Sequence, residues 1–169
     1  MAAPSKPPVI DAIEFARKGL EFHDTIALSQ FSRLSDALAS SEDKLDYKLI
    51  GYIGAEGKPG LRLSVQGDIQ LTCQRCLEPL GFMMDIDSDF ILVIDEGQIP
   101  SQDEEGDLKD YLVASPQMSI IDLLEDELLL ALPFAPKHEE CEDKTAMKMQ
   151  TEKQSPFAVL KGLKTRDRD

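Results

Sequence analysis

The sequence predicts an α+β fold: an antiparallel β-sheet of about five or six strands with flanking helices, in a single domain. Three observations predict it. Between residues 45 and 94, apolar and polar residues alternate with a period of two, and Gly-containing stretches interrupt the alternation. Capped helical stretches stand on both sides of that block. The chain has 169 residues, 42% hydrophobic and 30% charged, which suits a globular protein long enough to bury one core.

Taken in order, residues 1–10 form a Pro-rich flexible leader, and the folded domain spans 11–141. Asp11 followed by Glu14 makes a capping box for a short helix from about Ala12 to Lys18, which Gly19 ends. Leu20 to Leu28 reads as a strand, with His23 facing solvent. Ser29 is expected to cap a second helix, from Gln30 to about Ser40. There Phe31, Leu34 and Leu38 form the apolar stripe, and Arg33 and Asp36 lie on the wet face.

The strand block follows. Leu45, Tyr47 and Leu49 alternate with Asp46, Lys48 and Ile50. Gly51 to Gly60 must hold a turn. Leu61, Leu63 and Val65 alternate again, Gly67-Asp68 is expected to break the strand, and Ile69, Leu71 and Cys73 resume it. Phe82 to Asp87 and the run Phe90–Ile94 complete the block. Asp95 to Asp110 is densely acidic, with Lys109 its one counter-charge, and reads as a solvated loop or an electrostatic lure for a basic partner. Tyr111–Val113 is a last short strand. Ser119 caps the strongest helix, Ile120 to about Leu132, and Pro133 stops it. At about 100° per residue, Asp122, Glu125 and Asp126 share a polar edge, whereas Glu127 projects into the apolar arc. A carboxylate there needs a partner such as Arg75 or a backbone N–H. Residues 142–154 are a polar linker. Residues 155–169 carry Phe157, Leu160 and Leu163 among Lys161, Lys164, Arg166 and Arg168, the chain's one basic cluster and a candidate docking segment.

The net charge of −14 repels phosphate backbones at long range and favours basic partners, so direct RNA contact is left open. No apolar segment approaches the roughly 18 residues of a membrane span, and Met1–Pro8 has no long apolar run; a cytoplasmic protein with reduced thiols is expected. Cys73 and Cys76 stand at metal-ligand spacing, and His138 and Cys141 repeat that spacing downstream. Two such pairs could close one tetrahedral Zn²⁺ site. The pairs lie further apart than the usual dozen to twenty residues, and two ordinary buried thiols are the plain alternative. A redox pair fits poorly, because a thioredoxin-type C-x-x-C opens a helix in a βαβ unit, whereas Gly67 and Pro79 bracket this one within antiparallel structure.

Cys73-Gln-Arg-Cys76 after a strand, Ile121 to Pro133, Pro136-Lys-His138 with Cys141, and Pro156-Phe157-Ala158-Val159-Leu160 followed by Leu163-Lys164 occur in an order and spacing that resemble the YceD family, the large ribosomal RNA subunit accumulation proteins. The resemblance runs from about Leu20 to Lys164. It implies a role in the synthesis, processing or stability of large-subunit (23S-type) ribosomal RNA, and brings no chemical activity with it. Some relatives carry more cysteines in the region matching His138–Cys141; this sequence keeps one His and one Cys there.

The leading expectation is a non-catalytic ribosome-biogenesis factor that binds a large-subunit precursor or a basic ribosomal or processing protein. Arg75, Lys137, Phe157, Leu160, Leu163 and Lys164 are its candidate contacts. The alternatives are a metal-dependent RNA-processing enzyme with Glu127 as general base, and an adaptor that binds a client strand at the sheet edge.

Overall fold

The computed structural model describes residues 9–100 and 110–141. Most of the expected leader, most of the acidic stretch, the linker and the C-terminal segment with Phe157, Leu160, Leu163 and Lys164 lie outside the described residues. The elements run β1 (Val9–Ile10), α1 (Ala12–Arg17), β2 (Glu21–Ala27), β3 (Lys44–Ile53), β4 (Pro59–Thr72), β5 (Pro79–Val93), β6 (Asp110–Val113), β7 (Met118–Ser119) and α2 (Ile120–Ala131). A five-stranded sheet has the order β2-β3-β4-β5-β6, and β1 pairs with β7 in a separate two-stranded ribbon. Val9 and Ile10, assigned to the leader from the sequence, form β1. The sheet is antiparallel through β5, and β6 joins it in parallel. The connection over 94–109 permits this, since a parallel crossover needs about a dozen residues.

The period of two is honoured on one face. Leu45, Tyr47 and Leu49 of β3, Leu61, Leu63 and Val65 of β4, and Met84, Ile86 and Phe90 of β5 are buried together. The other face is largely polar, as in an antiparallel sheet covered on one side. Both helices cover the apolar face. Asp11 accepts the Glu14 N–H and Ser119 accepts the Asp122 N–H, as the capping patterns predict. Gly51 lets α1 lie directly on β3: a Cβ there would come within 2.5 Å of the Phe15 carbonyl oxygen and 2.7 Å of Ala16 Cα.

Three expectations are corrected. The helix over 30–40 does not form. Leu28–Gln30 makes a 3₁₀ turn and a series of turns follows, although Phe31 and Leu34 are buried as the stripe requires. β4 outruns β3 past Gln66, and its exposed backbone takes partners from this segment. The Ala39 N–H donates to the Gln70 carbonyl at 2.7 Å, and the Thr72 N–H donates to the Ala37 carbonyl at 3.0 Å. A helix would have kept those groups to itself, and a serine-rich stretch has little propensity to insist on one.

The break at Gly67-Asp68 is also absent. β4 continues to Thr72 in unbroken register with β5. The glycine instead admits β3, because a Cβ at Gly67 would lie 2.7 Å from Leu45 Cδ2 and 3.0 Å from the Lys44 carbonyl oxygen.

On α2 the roles of two glutamates differ from the helical-wheel reading. Glu125, not Glu127, is the buried carboxylate; it accepts the Arg33 N–H at 2.6 Å and Arg33 Nε at 2.8 Å. Burial works against its charge, but Arg33 outweighs burial and holds its pKa below the ordinary value. Arg33 also reaches Asp126 at 2.7 Å. Glu127 is half-buried and accepts from the Ser88 hydroxyl, not from Arg75.

Candidate metal centre

The longest hairpin in the molecule is built from β4 and β5, and its tip is the C-x-x-C turn. The Cys73 N–H donates to the Glu78 carbonyl at 3.0 Å and the Leu77 N–H to the Cys73 carbonyl at 2.9 Å, so Gln74 to Leu77 form a tight loop. Leu77 closes it in the left-handed region, with φ of 64°. This bend aims the N–H groups of Arg75 and Cys76 at the Cys73 sulfur. Burial disfavours a thiolate on Cys73, yet those N–H groups and that of His138 overcome it and bring the pKa down to about 5. For Cys76 the balance falls the other way. The Glu78 N–H favours its thiolate, but burial and the sulfurs of Cys73 and Cys141 together push the thiol up. Only one of two crowded sulfurs ionises readily without a cation between them.

The second pair arrives from α2. Pro133 ends the helix, and the chain crosses to the hairpin tip, where the Gln74 N–H donates to the Pro136 carbonyl at 2.8 Å. His138 and Cys141 then face Cys73 and Cys76. The four ligand atoms lie within 4.8 Å of one another, with both hairpin cysteines buried and His138 and Cys141 half-buried. Cys73 Sγ lies 3.8 Å from Cys141 Sγ, and Cys76 Sγ lies 3.4 Å from His138 Nδ1. Tetrahedral Zn²⁺ with its usual bond lengths would set sulfur–sulfur separations of about 3.8 Å and sulfur–nitrogen separations of about 3.5 Å. These two separations match the coordination shell of the ion.

The surroundings also suit a cation. His138 Nε2 lies 3.1 Å from the Pro79 carbonyl oxygen, so it is the protonated nitrogen, and Nδ1 turns its lone pair towards the sulfurs. Three thiolates around Zn²⁺ leave a net negative charge. Arg75 offsets it, donating from Nε to Cys141 Sγ at 2.9 Å and from Nη2 to the His138 carbonyl at 2.9 Å and the Glu139 carbonyl at 3.3 Å. Four protein side chains could fill all four positions of a tetrahedral ion here, and such an ion would tie two distant chain segments together.

All four residues singled out as ligands from their spacing meet at this point. Of the candidate contact residues, Arg75 turns its guanidinium into the site, and Lys137 is exposed beside it. The Pro79 carbonyl, which orients His138, had no signal in the sequence beyond its place just after the turn. Glu127, nominated as a base, bonds Ser88 in mid-β5, about 30 Å along the strand from Pro79 at 3.3 Å per residue. Among the described residues no helix is long and apolar enough to cross a membrane.

Comparison with known proteins finds a family and relatives within it. Residues 61–164 match the model of the family described as large ribosomal RNA subunit accumulation protein YceD. The chain is also 28% identical over 170 aligned positions to a protein of Haemophilus influenzae named large ribosomal RNA subunit accumulation protein YceD, covering 94% of this chain and 95% of that one. No solved structure matches.

Proposed function

The chain belongs to the YceD family of large ribosomal RNA subunit accumulation proteins, and from that premise we propose that it is a non-catalytic cytoplasmic factor supporting large-subunit ribosomal RNA, with Zn²⁺ as its structural metal. The observation that carries this reading is the extent of the family match: residues 61–164 take in the β4–β5 hairpin from Leu61 onward and all four of Cys73, Cys76, His138 and Cys141. A metal held by those residues fixes the hairpin tip to the segment that follows α2. It leaves no open coordination position for hydrolysis, so its role is to shape a surface.

That surface would present Lys137 at the metal-bound tip, with Arg75 organising it from within. Phe157, Leu160, Leu163 and Lys164 would supply a second contact that docks on a partner. The net charge of −14 selects a basic partner, a ribosomal or processing protein carried on the large-subunit precursor. Cells lacking the protein should show a lowered ratio of large- to small-subunit ribosomal RNA, restored by the native chain and not by Cys76→Ser. An unchanged ratio would refute the reading.

A further inference from the structure

Among the described residues, one edge of the sheet has no paired strand over most of its length. β5 runs from Pro79 to Val93 and pairs with β4 from Pro79 to Ile91, but β6 covers its other side only at Phe90–Val93. The direction of the backbone groups follows from the ladder. The Ala114 N–H donates to the Val93 carbonyl, so Val93 faces the β6 side. Successive residues of a strand turn their N–H and C=O to opposite sides. Gly81, Met83, Asp85, Asp87 and Asp89 therefore present theirs to the open edge. Among the described residues no strand pairs with them.

The same residues set the charge of that edge. Their side chains lie on the polar face of the sheet, so Asp85, Asp87 and Asp89 form a row of exposed carboxylates at alternate positions. Within the row, Asp89 pairs with Arg62 at 3.2 Å and accepts from the Tyr52 hydroxyl, and Asp85 accepts from Gln66 Nε2 at 3.1 Å; Asp87 between them has no such partner among the described residues, and Lys48 is held by Glu21 at 2.6 Å. Met83, 73% exposed, offers an apolar contact at the end of the row. A second copy of this chain is a poor occupant, because pairing β5 with itself sets aspartates near aspartates. The opposite edge, β2, carries no comparable row of one sign.

We propose that the β5 edge from Gly81 to Asp89 accepts an added strand from a basic, extended polypeptide whose alternate Lys or Arg side chains lie against Asp85, Asp87 and Asp89. The inference rests on the reading that this chain has a basic partner in large-subunit assembly, and it names the surface that partner uses. The backbone ladder supplies affinity and the carboxylate row supplies selectivity.

The test is amide hydrogen exchange on the full, zinc-loaded chain, with a synthetic peptide alternating Lys and Thr and long enough to span Gly81–Asp89. With peptide at ten times its dissociation constant, exchange at Met83, Asp85, Asp87 and Asp89 slows about tenfold. A Glu/Thr peptide, or the Lys/Thr peptide N-methylated along one edge, has no effect. Asp87→Lys, an exposed substitution that leaves the melting temperature in place, weakens binding roughly five- to thirty-fold.

Protection of these amides in the absence of peptide would mean that another part of the chain already covers the edge, and would overturn the proposal. So would protection elsewhere, or binding indifferent to Asp87→Lys. Sedimentation with large-subunit precursors separates the two levels. If the native chain sediments with them and Asp87→Lys does so equally well, the edge is not the partner's site. If the native chain does not sediment with them, the ribosomal reading fails, and the exchange result still decides the edge.

Discussion

Removing the metal should cost the fold what a cross-link of this span is worth. Cys76 and His138 lie 62 residues apart in the chain, and a metal joining their pairs closes that loop. The chain-entropy relation for a cross-link of this loop length gives about 4 kcal/mol of stabilisation at 25 °C. For a domain of this size, that corresponds to a fall in melting temperature on the order of 10 °C. The assay is thermal unfolding of the reduced protein with and without a chelator, for the native chain and for Cys76→Ser, His138→Ala and the double variant. The clamp has no half-closed state, so each single variant should melt near the chelated native protein. The double variant should cost no more than either single one, and chelator should not move any of the three further. A chelator-independent melting temperature would refute the reasoning, as would costs that add across the two substitutions.

Three further outcomes follow from the packing. Glu125→Gln removes a charge-assisted acceptor from the Arg33 side chain and N–H and should cost about 1–3 kcal/mol in urea unfolding. Because Arg33 holds the Glu125 pKa below its ordinary value of 4.5, the native pair contributes fully above that value and is lost as pH falls through the lower folded value. The difference between native and variant should therefore shrink only at acid pH. Gly51→Ala sets a methyl group against the α1 backbone, where Phe15 leaves 2.5 Å, and should cost about 1–3 kcal/mol, read from the same denaturation curves. Arg75→Gln keeps the four ligands but removes the cation beside Cys141, and should weaken zinc affinity about 10- to 100-fold in a competition titration with a chromophoric chelator.

Much of this architecture was legible because it depends on local patterns. Capping residues at Asp11 and Ser119 marked both helices. The period of two marked β3, β4 and β5, and the C-x-x-C turn sat where the hairpin reverses. The grouping of Cys73, Cys76, His138 and Cys141 was legible for a different reason: Cys and His spacings are chemical constraints that survive without knowledge of the fold. What the pattern hid was tertiary. A helical stripe at Phe31, Leu34 and Leu38 was consumed by the backbone needs of β4, which only the lengths of neighbouring strands reveal. Gly67 looked like a break because glycine's local meaning is a turn, whereas here it makes room for Leu45. The exchange of roles between Glu125 and Glu127 followed from Arg33, a residue 92 positions away that no helical wheel includes. The parallel pairing of β6 was equally non-local.

The reading of the hairpin tip turns on whether Cys73, Cys76, His138 and Cys141 hold one structural metal. It is tested most directly by elemental analysis of the untagged protein purified without chelator, beside Cys73→Ser and Cys141→Ser. About one zinc per native chain is expected, with its loss in both variants. A native chain without metal, or variants that retain it in full, would rule out the shared site and leave the three cysteines as ordinary thiols.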